Sequence, residues 1–253
     1  MAEGLKKMEV GNIQLHVPEG VWPPYVTGKQ LAKAVMPRYS KLIRNGVVID
    51  VGTGSGLLAV QAGKLGARAV LATDLNPHAV EAVIHNWRLN QLRPDYLTAQ
   101  LADGLNDLPG QFMGKTNLLI SNPPVQPFLK AETKYTRDGN SAADWNETDA
   151  NGRAVLDSIL TYGPTYLKAG GKLVTSTTTR HGWQTTQALL EAQKARKKIR
   201  DWKIIVEEDH ELAEFYDIYV PVWINLQKQD GDTRIWRKGN QWSHTFIVLE
   251  LTK

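Results

Sequence analysis

The feature of this 253-residue chain that most limits its fold is a glycine-rich turn between an apolar run and a helical segment. Residues 47–51 read Val-Val-Ile-Asp-Val and lead directly into Gly52-Thr53-Gly54-Ser55-Gly56. Apolar residues with a helical period begin at Leu57, so the segment is interpreted as a strand, a turn and a helix. Glycine permits positive φ and lets the main chain approach a ligand closely. Such a unit is typical of a parallel α/β sheet.

The rest of the chain alternates short apolar runs with longer stretches of helical period, which predicts an α/β fold. Strands are predicted at residues 46–51, 69–73, 96–100, 117–121 and 172–177. Helices are predicted at residues 31–42, 57–65, 77–89, 152–167 and 183–195. Beyond these, β-like runs at residues 204–206, 216–226 and 245–251, with a turn at 229–232, favour a closing antiparallel hairpin.

This organisation predicts one main domain at residues 47–253, preceded by an N-terminal preface of loop and helix over the site at residues 1–46. An aromatic-rich β insertion is expected at about residues 210–243. The insertion either covers a site as a lid or packs its own aromatic core as a structural strand pair.

Composition excludes several classes of protein. The chain has no cysteine, which excludes disulfide frameworks, thiolate metal sites and thiol nucleophiles, and a reducing, cytoplasmic location is expected. Its six histidines form no metal-binding pattern, so no metal is expected. The N-terminus lacks the apolar stretch of a signal peptide, and no run approaches the ~18 apolar residues of a membrane span. These patterns indicate a soluble protein without a membrane partner.

The charge of the chain does not identify a partner. A formal net charge of +4 is far weaker than the basic stripe of a protein whose binding depends on phosphate contacts. Residues 194–203 are rich in lysine and arginine. This run is either a solvated helix end or a patch for an anionic ligand.

The spacing of the glycine loop indicates which cofactor it would hold. A dinucleotide-binding loop reads GxGxxG and directs its amides at a pyrophosphate, whereas this loop reads GxGxG and follows an acid. Asp50 would repel a diphosphate but suits an ammonium group, directly or through water, as in the methionine part of S-adenosylmethionine (SAM). The predicted SAM-binding residues of this loop are Asp50, Gly52, Thr53, Gly54 and Gly56.

Acidic residues follow the next two predicted strands. Asp74 lies at the end of the second strand, where an acid can accept hydrogen bonds from ribose hydroxyls, although an Asp before Asn-Pro also caps helices. Leu75 is included in the same predicted site. Asp103 follows the third strand and is a candidate for the adenine amino group, although Asp-Gly is also a common turn.

A rigid polar turn, Asn122-Pro123-Pro124-Val125, follows the fourth predicted strand. Two successive prolines fix the main chain and leave their carbonyls without a local donor. The Asn122 side-chain carbonyl and the Pro123 carbonyl could then each accept one N–H of a planar NH2 group and direct its nitrogen at an activated methyl. The alternative is a turn with no chemical role. These four residues are the predicted catalytic set.

The motifs resemble those of the class I SAM-dependent methyltransferases. They are most similar to the amino-methylating branch with an NPPY-like motif, which includes HemK-type release-factor glutamine methyltransferases and adenine-N6 or guanine-N2 enzymes. The segment Asn151-Gly152-Arg153, with Asp157 and the turn at residues 166–171, looks like the corresponding HemK-type helix and turn. The resemblance covers about residues 22–194.

The resemblance implies a Rossmann-like, seven-stranded sheet and direct in-line methyl transfer from SAM to a planar nitrogen. The acceptor would be a protein glutamine or a small molecule, and a nucleic-acid base is the alternative. A non-catalytic SAM-binding protein is a possibility of a different class. A partner subunit or a homo-oligomer is left open.

Two departures from the family pattern bear on the acceptor. Val125 stands where the family usually has an aromatic ring that stacks on the acceptor, so about 1 kcal/mol of stacking must come from elsewhere. Only 46 residues precede Val47, whereas bacterial release-factor enzymes of this type carry a helical substrate-binding domain there. A release factor is therefore one candidate substrate among several.

Overall fold

The computed structural model of the chain describes residues 5–129 and 148–253. The described strands are β1 (Lys6–Val10), β2 (Ile13–Val17), β3 (Val47–Val51), β4 (Ala69–Asp74), β5 (Leu97–Leu101), β6 (Thr116–Ser121), β7 (Leu167–Thr178), β8 (Asp201–Glu211), β9 (Trp236–Lys238) and β10 (Gln241–Thr252). The described α-helices are α1 (Val26–Gln30), α2 (Ser40–Ile43), α3 (Leu57–Lys64), α4 (Pro77–Leu89), α5 (Ala154–Tyr166), α6 (Trp183–Ala195) and α7 (Val220–Asp230). A π-helical turn, Leu31–Val35, and a 3-10 turn, Met36–Tyr39, join α1 to α2.

Strands β3 to β10 form one sheet in the order β5-β4-β3-β6-β7-β10-β8, and β9 pairs with β10. Strands β3 to β7 run parallel to one another. Strand β10 lies between β7 and β8 and is antiparallel to both. Strand β3 pairs with β4 on one side and with β6 on the other, so the strand order reverses at this point. Ligands of open α/β sheets bind at the carboxyl ends of the strands at such a reversal.

The predicted α/β class with a mostly parallel sheet is confirmed. The sheet has eight strands because the short β9 adds to the seven that were expected. Predictions for β3 and β4 match to within one residue, and those for α4 and α6 match in full. All five residues of β3 are buried, as expected for a central strand of a parallel sheet that is covered on both faces.

The strand predicted at residues 216–226 is wrong. Residues Glu214–Tyr219 form a 3-10 helix that leads into α7, so the β-insertion prediction is corrected to a largely helical segment. Pro221 would break a strand ladder but fits the first turn of a helix. Gly231, with a φ of 74°, ends α7 in the left-handed conformation, so the predicted inter-strand turn is a helix C-cap.

The N-terminal preface contains a hairpin that was not predicted. Strands β1 and β2 pair through a two-residue turn in which Gly11 has a φ of 64°. Ile13, Leu15 and Val17 alternate toward the core and are buried, which is the period of a half-buried strand. The Asn86 side chain on α4 joins β2 to the helix through hydrogen bonds with the His16 main chain. The preface therefore packs on the sheet domain.

Other contacts join the preface to strand β10 of the sheet. Tyr39 donates a hydrogen bond to Glu250 on β10, and Glu250 also forms an ion pair of 2.8 Å with Lys172 on β7. Leu15, Leu31 and Val48 belong to one continuous buried cluster. Within residues 5–129 and 148–253, no helix has both the length and the apolar character needed to cross a bilayer.

Candidate functional site

The carboxyl ends of the parallel strands border a cavity of about 560 Å3. Both predicted loops line it, the glycine loop after β3 at residues 52–54 and the Asn-Pro-Pro-Val turn after β6 at residues 122–125. Residues 22–28 of the preface line the same cavity. The structure therefore brings together two loops that are distant in sequence.

The glycine loop leaves space for a ligand beside its main chain. Gly52 and Gly54 have φ values of 69° and 53°. A Cβ placed on Gly52 would have no atom within 4 Å, and on Gly54 the nearest atom, the Trp22 carbonyl oxygen, would be 3.8 Å away. Thr53 between them is buried and donates its N–H to the Thr73 carbonyl oxygen at 2.8 Å. The open space beside Gly52 and Gly54 would allow a cofactor to lie close to the main chain of the loop.

Asp50 lies in β3, next to its carboxyl end, and is not among the residues that line the cavity, so its contact with the cofactor stays a prediction. Its carboxylate is fully buried beneath the loop and accepts hydrogen bonds from Thr53 Oγ1 at 2.7 Å and the Ala59 N–H at 3.0 Å. Burial raises the pKa of Asp50 to about 7, and the nearby carboxylate of Asp74 adds to the effect. Asp50 thus fixes the loop to α3 from below.

Gly56 is likewise not among the residues that line the cavity, and its role as a cofactor contact stays a prediction. It precedes α3 with a φ of 81°, and a Cβ at this position would lie 2.8 Å from the Val83 side chain on α4. The third glycine of the motif is therefore required for the close packing of two helices.

Asp74 lines the cavity at the end of β4. Its Oδ2 accepts a hydrogen bond from the Gly54 N–H at 2.8 Å, and its Oδ1 accepts one from the Asn76 N–H at 2.9 Å. The side-chain cap of α4 is Asn76, which accepts from the His78 N–H, so the capping interpretation of Asp74 does not hold. Leu75, 40% exposed, lines the cavity beside it.

Asp103 follows β5 and also lines the cavity, with an exposed side chain. Its carbonyl oxygen accepts a hydrogen bond from the Asn106 N–H at 3.0 Å, so the residue begins a turn as well. The sequence offered these two interpretations as alternatives, and the geometry is compatible with both. A role toward adenine stays a prediction.

The Asn-Pro-Pro turn is held by side chains from β7 and from the segment after it. Asn122 Oδ1 accepts a hydrogen bond of 2.6 Å from Ser176 Oγ. The Pro124 carbonyl oxygen lies 3.3 Å from His181 Nε2, and His181 Nδ1 lies 2.9 Å from Thr177 Oγ1. No described residue donates a hydrogen bond to the Pro123 carbonyl oxygen. The turn is therefore held at Asn122 and Pro124, on either side of the Pro123 carbonyl oxygen.

Val125 is 8% exposed and lines the cavity. The sequence does not indicate which aromatic residue would stack on the acceptor in its place. Trp223, Trp236 and Trp242 do not line the cavity, and Trp223 is fully buried in a separate cluster with α7. The aromatic side chains that do line it are Trp22, Tyr25, Phe128, Tyr216 and Phe246. The cavity is therefore lined by aromatic rings from the preface, the segment after β6, the 3-10 turn before α7, and β10.

His181 is buried, lines the cavity and supports the Asn-Pro-Pro turn. Burial lowers its pKa to about 3, and the positive charge of Arg153 adds to the effect. The neutral ring can donate from Nε2 to Pro124 while Nδ1 accepts from Thr177. Arg153, from the HemK-like segment, donates to the His181 and Gly182 carbonyl oxygens and pairs with Asp157 at 2.6 Å.

The structure adds a polar group that sequence analysis missed. Arg180, His210 and His244 line the cavity next to Tyr216 and Phe246. They lie after β7 and on the two antiparallel strands, where pattern analysis gives no signal because strand pairing alone brings them together. Burial lowers the pKa of His244 to about 2, and the charge of Arg180 adds to this, so His244 is neutral.

Two further sequence features lie outside the cavity. The basic run at residues 194–203 contributes nothing to the lining, and within it Lys194 forms an exposed ion pair of 2.9 Å with Asp201. This geometry favours the solvated helix end over a ligand patch. Across the described part of the chain, no group of three or more histidine or acidic side chains is arranged to hold a metal ion.

The sequence model of the ribosomal protein L11 methyltransferase (PrmA) family matches residues 34–127. The chain is 28% identical over 164 residues to a protein of Methanocaldococcus jannaschii named "Putative protein N5-glutamine methyltransferase MJ0928", covering 65% of this chain and 75% of that one. It is 38% identical over 96 residues to a ribosomal protein L11 methyltransferase of Geobacter metallireducens, covering 38% of this chain but only 29% of the relative.

Solved structures share the fold at low sequence identity. The 16S rRNA N2 G1207 methyltransferase of T. thermophilus, solved with AdoMet and guanosine, has a TM-score of 0.57 at 15% identity, over 98% of this chain and 50% of that one. The M. jannaschii tRNA m1G37 methyltransferase has a TM-score of 0.55 at 19% identity, over 100% of this chain and 55% of that one. The likeness covers nearly the whole of the present chain.

Proposed function

Because the chain is a class I SAM-dependent methyltransferase, we propose that it methylates a planar amide or amino nitrogen in the manner of the HemK-like branch. The observation that carries the proposal is the shared cavity, in which the glycine loop and the Asn-Pro-Pro turn face each other across the ends of β3 and β6. A cofactor held by one loop and a nitrogen held by the other would be in contact.

The cofactor half is assigned to the side of the cavity at β3, β4 and β5. Gly52 and Gly54 provide the open main chain, and we assign Asp74 to the ribose hydroxyls and Asp103 to the adenine amino group. SAM, when bound, supplies a methyl group that its sulfonium makes electrophilic. The protein's part is to hold this group against the neighbouring turn and to exclude water.

The acceptor half is assigned to the turn after β6. Asn122 Oδ1 already accepts from Ser176, but a carbonyl oxygen has two lone pairs and can accept one N–H of the acceptor as well. The Pro123 carbonyl oxygen is available for the other N–H. Two such bonds to a planar NH2 group favour the localised lone pair that a nucleophilic nitrogen requires. No covalent enzyme intermediate is needed.

Two classes of acceptor are compatible with this geometry, a protein glutamine side chain and a small molecule with an amide or amino group. The name of the archaeal relative favours the first. The aromatic rings that line the cavity favour the second, because largely apolar pockets are typical of small-molecule sites. A nucleic-acid base is less well supported, since the basic run lies away from the cavity.

Calorimetric titration with SAM and with its demethylated product, followed by methyl transfer from tritiated SAM into a cell extract, tests the proposal. We expect sub-millimolar binding of both compounds and label on a nitrogen of the product. Label on carbon or oxygen would overturn the N-methylation assignment, and binding without transfer to any component would favour a non-catalytic SAM-binding protein. Transfer to nucleic acid that weakens steeply with salt would place the chain among the base methyltransferases.

A further inference from the structure

Among the residues that the structure describes, three arginine side chains are almost completely buried. Arg153 and Arg234 are each 2% exposed, and Arg180 is 4% exposed. Each of the first two has a carboxylate partner four residues away, Asp157 at 2.6 Å and Asp230 at 2.7 Å. These pairs follow the general rule that a buried charge is compensated by an opposite charge and by hydrogen bonds.

Arg180 departs from that rule. Within residues 5–129 and 148–253, no carboxylate lies within ion-pair distance of its guanidinium, and its Nη1 has no hydrogen-bond partner. Nε donates to Thr178 Oγ1 at 3.3 Å, and the guanidinium lies over the rings of Tyr216 and Trp223, at 4.7 and 5.3 Å from their centroids. The rings hold the cation in place but do not neutralise it.

The position of Arg180 separates it from the cofactor half. The sheet order places β4 and β5 on one side of Asn122 and β7, β10 and β8 on the other. Asp74 and Asp103 belong to the first side, whereas Arg180 lines the cavity on the second. His244 beside it is neutral, and its Nδ1 is also buried without a partner in the described structure. Arg180 and His244 therefore both line this side of the cavity, and each has a buried polar atom without a partner in the described structure.

We propose that Arg180 binds an anionic group, a carboxylate or a phosphate, on a small-molecule acceptor whose nitrogen is held by Asn122. This inference rests on the proposed function and narrows its acceptor to one class. Guanidinium matches the planar or tetrahedral oxygens of both anions through paired N–H donors. Because Arg180 is buried, the anion must enter the cavity itself, which a compact acceptor can do and an extended surface-bound chain cannot.

Nuclear magnetic resonance of the full chain, saturated with the demethylated product of SAM, tests anion binding directly. The Nε–H of Arg180 is buried and hydrogen-bonded, so it exchanges slowly, and its signal is identified by its loss in Arg180→Lys. Inorganic phosphate and acetate are titrated separately at constant ionic strength. We expect the Arg180 Nε–H signal to shift and to saturate at a millimolar concentration of at least one anion. The anion that binds more tightly indicates whether the site prefers a phosphate or a carboxylate.

Arg153 is the matched control in the same spectrum, because it is equally buried but already paired with Asp157. Its signal should not move. Failure of Arg180 to shift with either anion, or equal shifts of the two arginines, would overturn the inference.

The second experiment follows the acceptor itself. Tritiated SAM and the enzyme are incubated with the low-mass filtrate of a cell extract, and the labelled product is applied to an anion exchanger at pH 7. We expect a retained product, formed about 100-fold less efficiently by Arg180→Gln, with part of the activity restored in Arg180→Lys. The affinity for SAM should be unchanged in both variants, since a loss would assign Arg180 to the carboxylate of SAM and overturn the inference.

The two proposals fail in different ways. A labelled product that is neutral, cationic or macromolecular leaves N-methylation intact and overturns the anionic acceptor. A shift of Arg180 with phosphate or acetate in a protein that transfers no methyl group supports the anion site and removes the proposed function.

Discussion

Ser176 Oγ donates a hydrogen bond of 2.6 Å to Asn122 Oδ1, which joins the carboxyl-terminal part of β7 to the turn after β6. The bond fixes the orientation of the Asn122 amide, so its carbonyl and not its NH2 group is directed at Ser176. Asn122 is thereby presented to the cavity in one orientation before any ligand arrives.

Replacing Asn122 by alanine should lower turnover about 100-fold, because it removes one acceptor of the two predicted for the nitrogen. The affinity for SAM, measured by calorimetry, should change by less than about threefold. Ser176→Ala keeps Asn122 but removes the hydrogen bond that orients its side chain. It should lower turnover about tenfold, consistent with the loss of one hydrogen bond. Equal losses of turnover and SAM affinity in Asn122→Ala would assign the residue to the cofactor instead.

The two glycines Gly52 and Gly56 should respond differently to alanine. Both have positive φ, which costs a non-glycine residue about 1 kcal/mol, but a Cβ has open space at Gly52 and meets Val83 at 2.8 Å at Gly56. Gly56→Ala should therefore reduce the free energy of unfolding by about 3 kcal/mol. Gly52→Ala should cost about 1 kcal/mol and weaken SAM binding at least tenfold. Urea denaturation and calorimetry separate the two effects, and the reverse pattern would contradict the assignment.

Asp50 should make the cofactor-free protein less stable as the pH rises. Its pKa is about 7 when folded and 3.8 when unfolded, so between these values only the folded state keeps the proton. The stability that Asp50 contributes is complete below pH 3.8 and is lost by about pH 7. Asp50→Asn cannot ionise, so its stability relative to wild type should rise over this range by on the order of 4 kcal/mol.

Urea denaturation at several pH values measures this difference. The buried histidines His181 and His244 have lowered pKa values and produce the opposite trend, but they are present in both proteins and cancel. A difference between variant and wild type that is the same at every pH would show that the Asp50 carboxyl is not buried as described.

His181→Phe should leave SAM affinity unchanged and lower turnover about tenfold, because the Pro124 carbonyl and the Thr177 hydroxyl lose their partner. The unfolding free energy should fall by about 1–3 kcal/mol for the same reason. His181 is neutral above its pKa of about 3, so its titration should cause no change in wild-type turnover between pH 5 and 8. An unaffected turnover in His181→Phe would remove its positioning role.

The parallel half of the fold was predictable because its signals are local. Strand β3 is a run of apolar residues followed by glycines, and helix α4 begins with Asn-Pro, so its first residue could be read directly from the chain. In contrast, α7 is rich in β-branched and aromatic residues and was predicted as a strand. Pro221 in its first turn and Gly231 at its end are local signals for a helix, whereas the burial of Trp223 is decided by tertiary packing.

The candidate site was predictable to a similar degree. The glycine loop, Asp74 and Asn122 follow strands and could be placed at one edge of the sheet from topology alone. For Asp50 and Gly56 the motif does not distinguish a residue that contacts a ligand from one that supports the loop, and the structure shows their supporting contacts. Arg180 and His244 could not be found, since only the pairing of β7 with β10 brings them to the cavity.

The hydrogen bonds of the glycine loop have a consequence for the thermodynamics of binding. Thr53 is tied to Thr73 and Asp50, and Gly54 is tied to Asp74, so the main chain of the loop is already ordered without a ligand. A preorganised loop loses little conformational entropy when it is occupied. The affinity for the donor should therefore depend on the contacts made rather than on the cost of folding a segment around it.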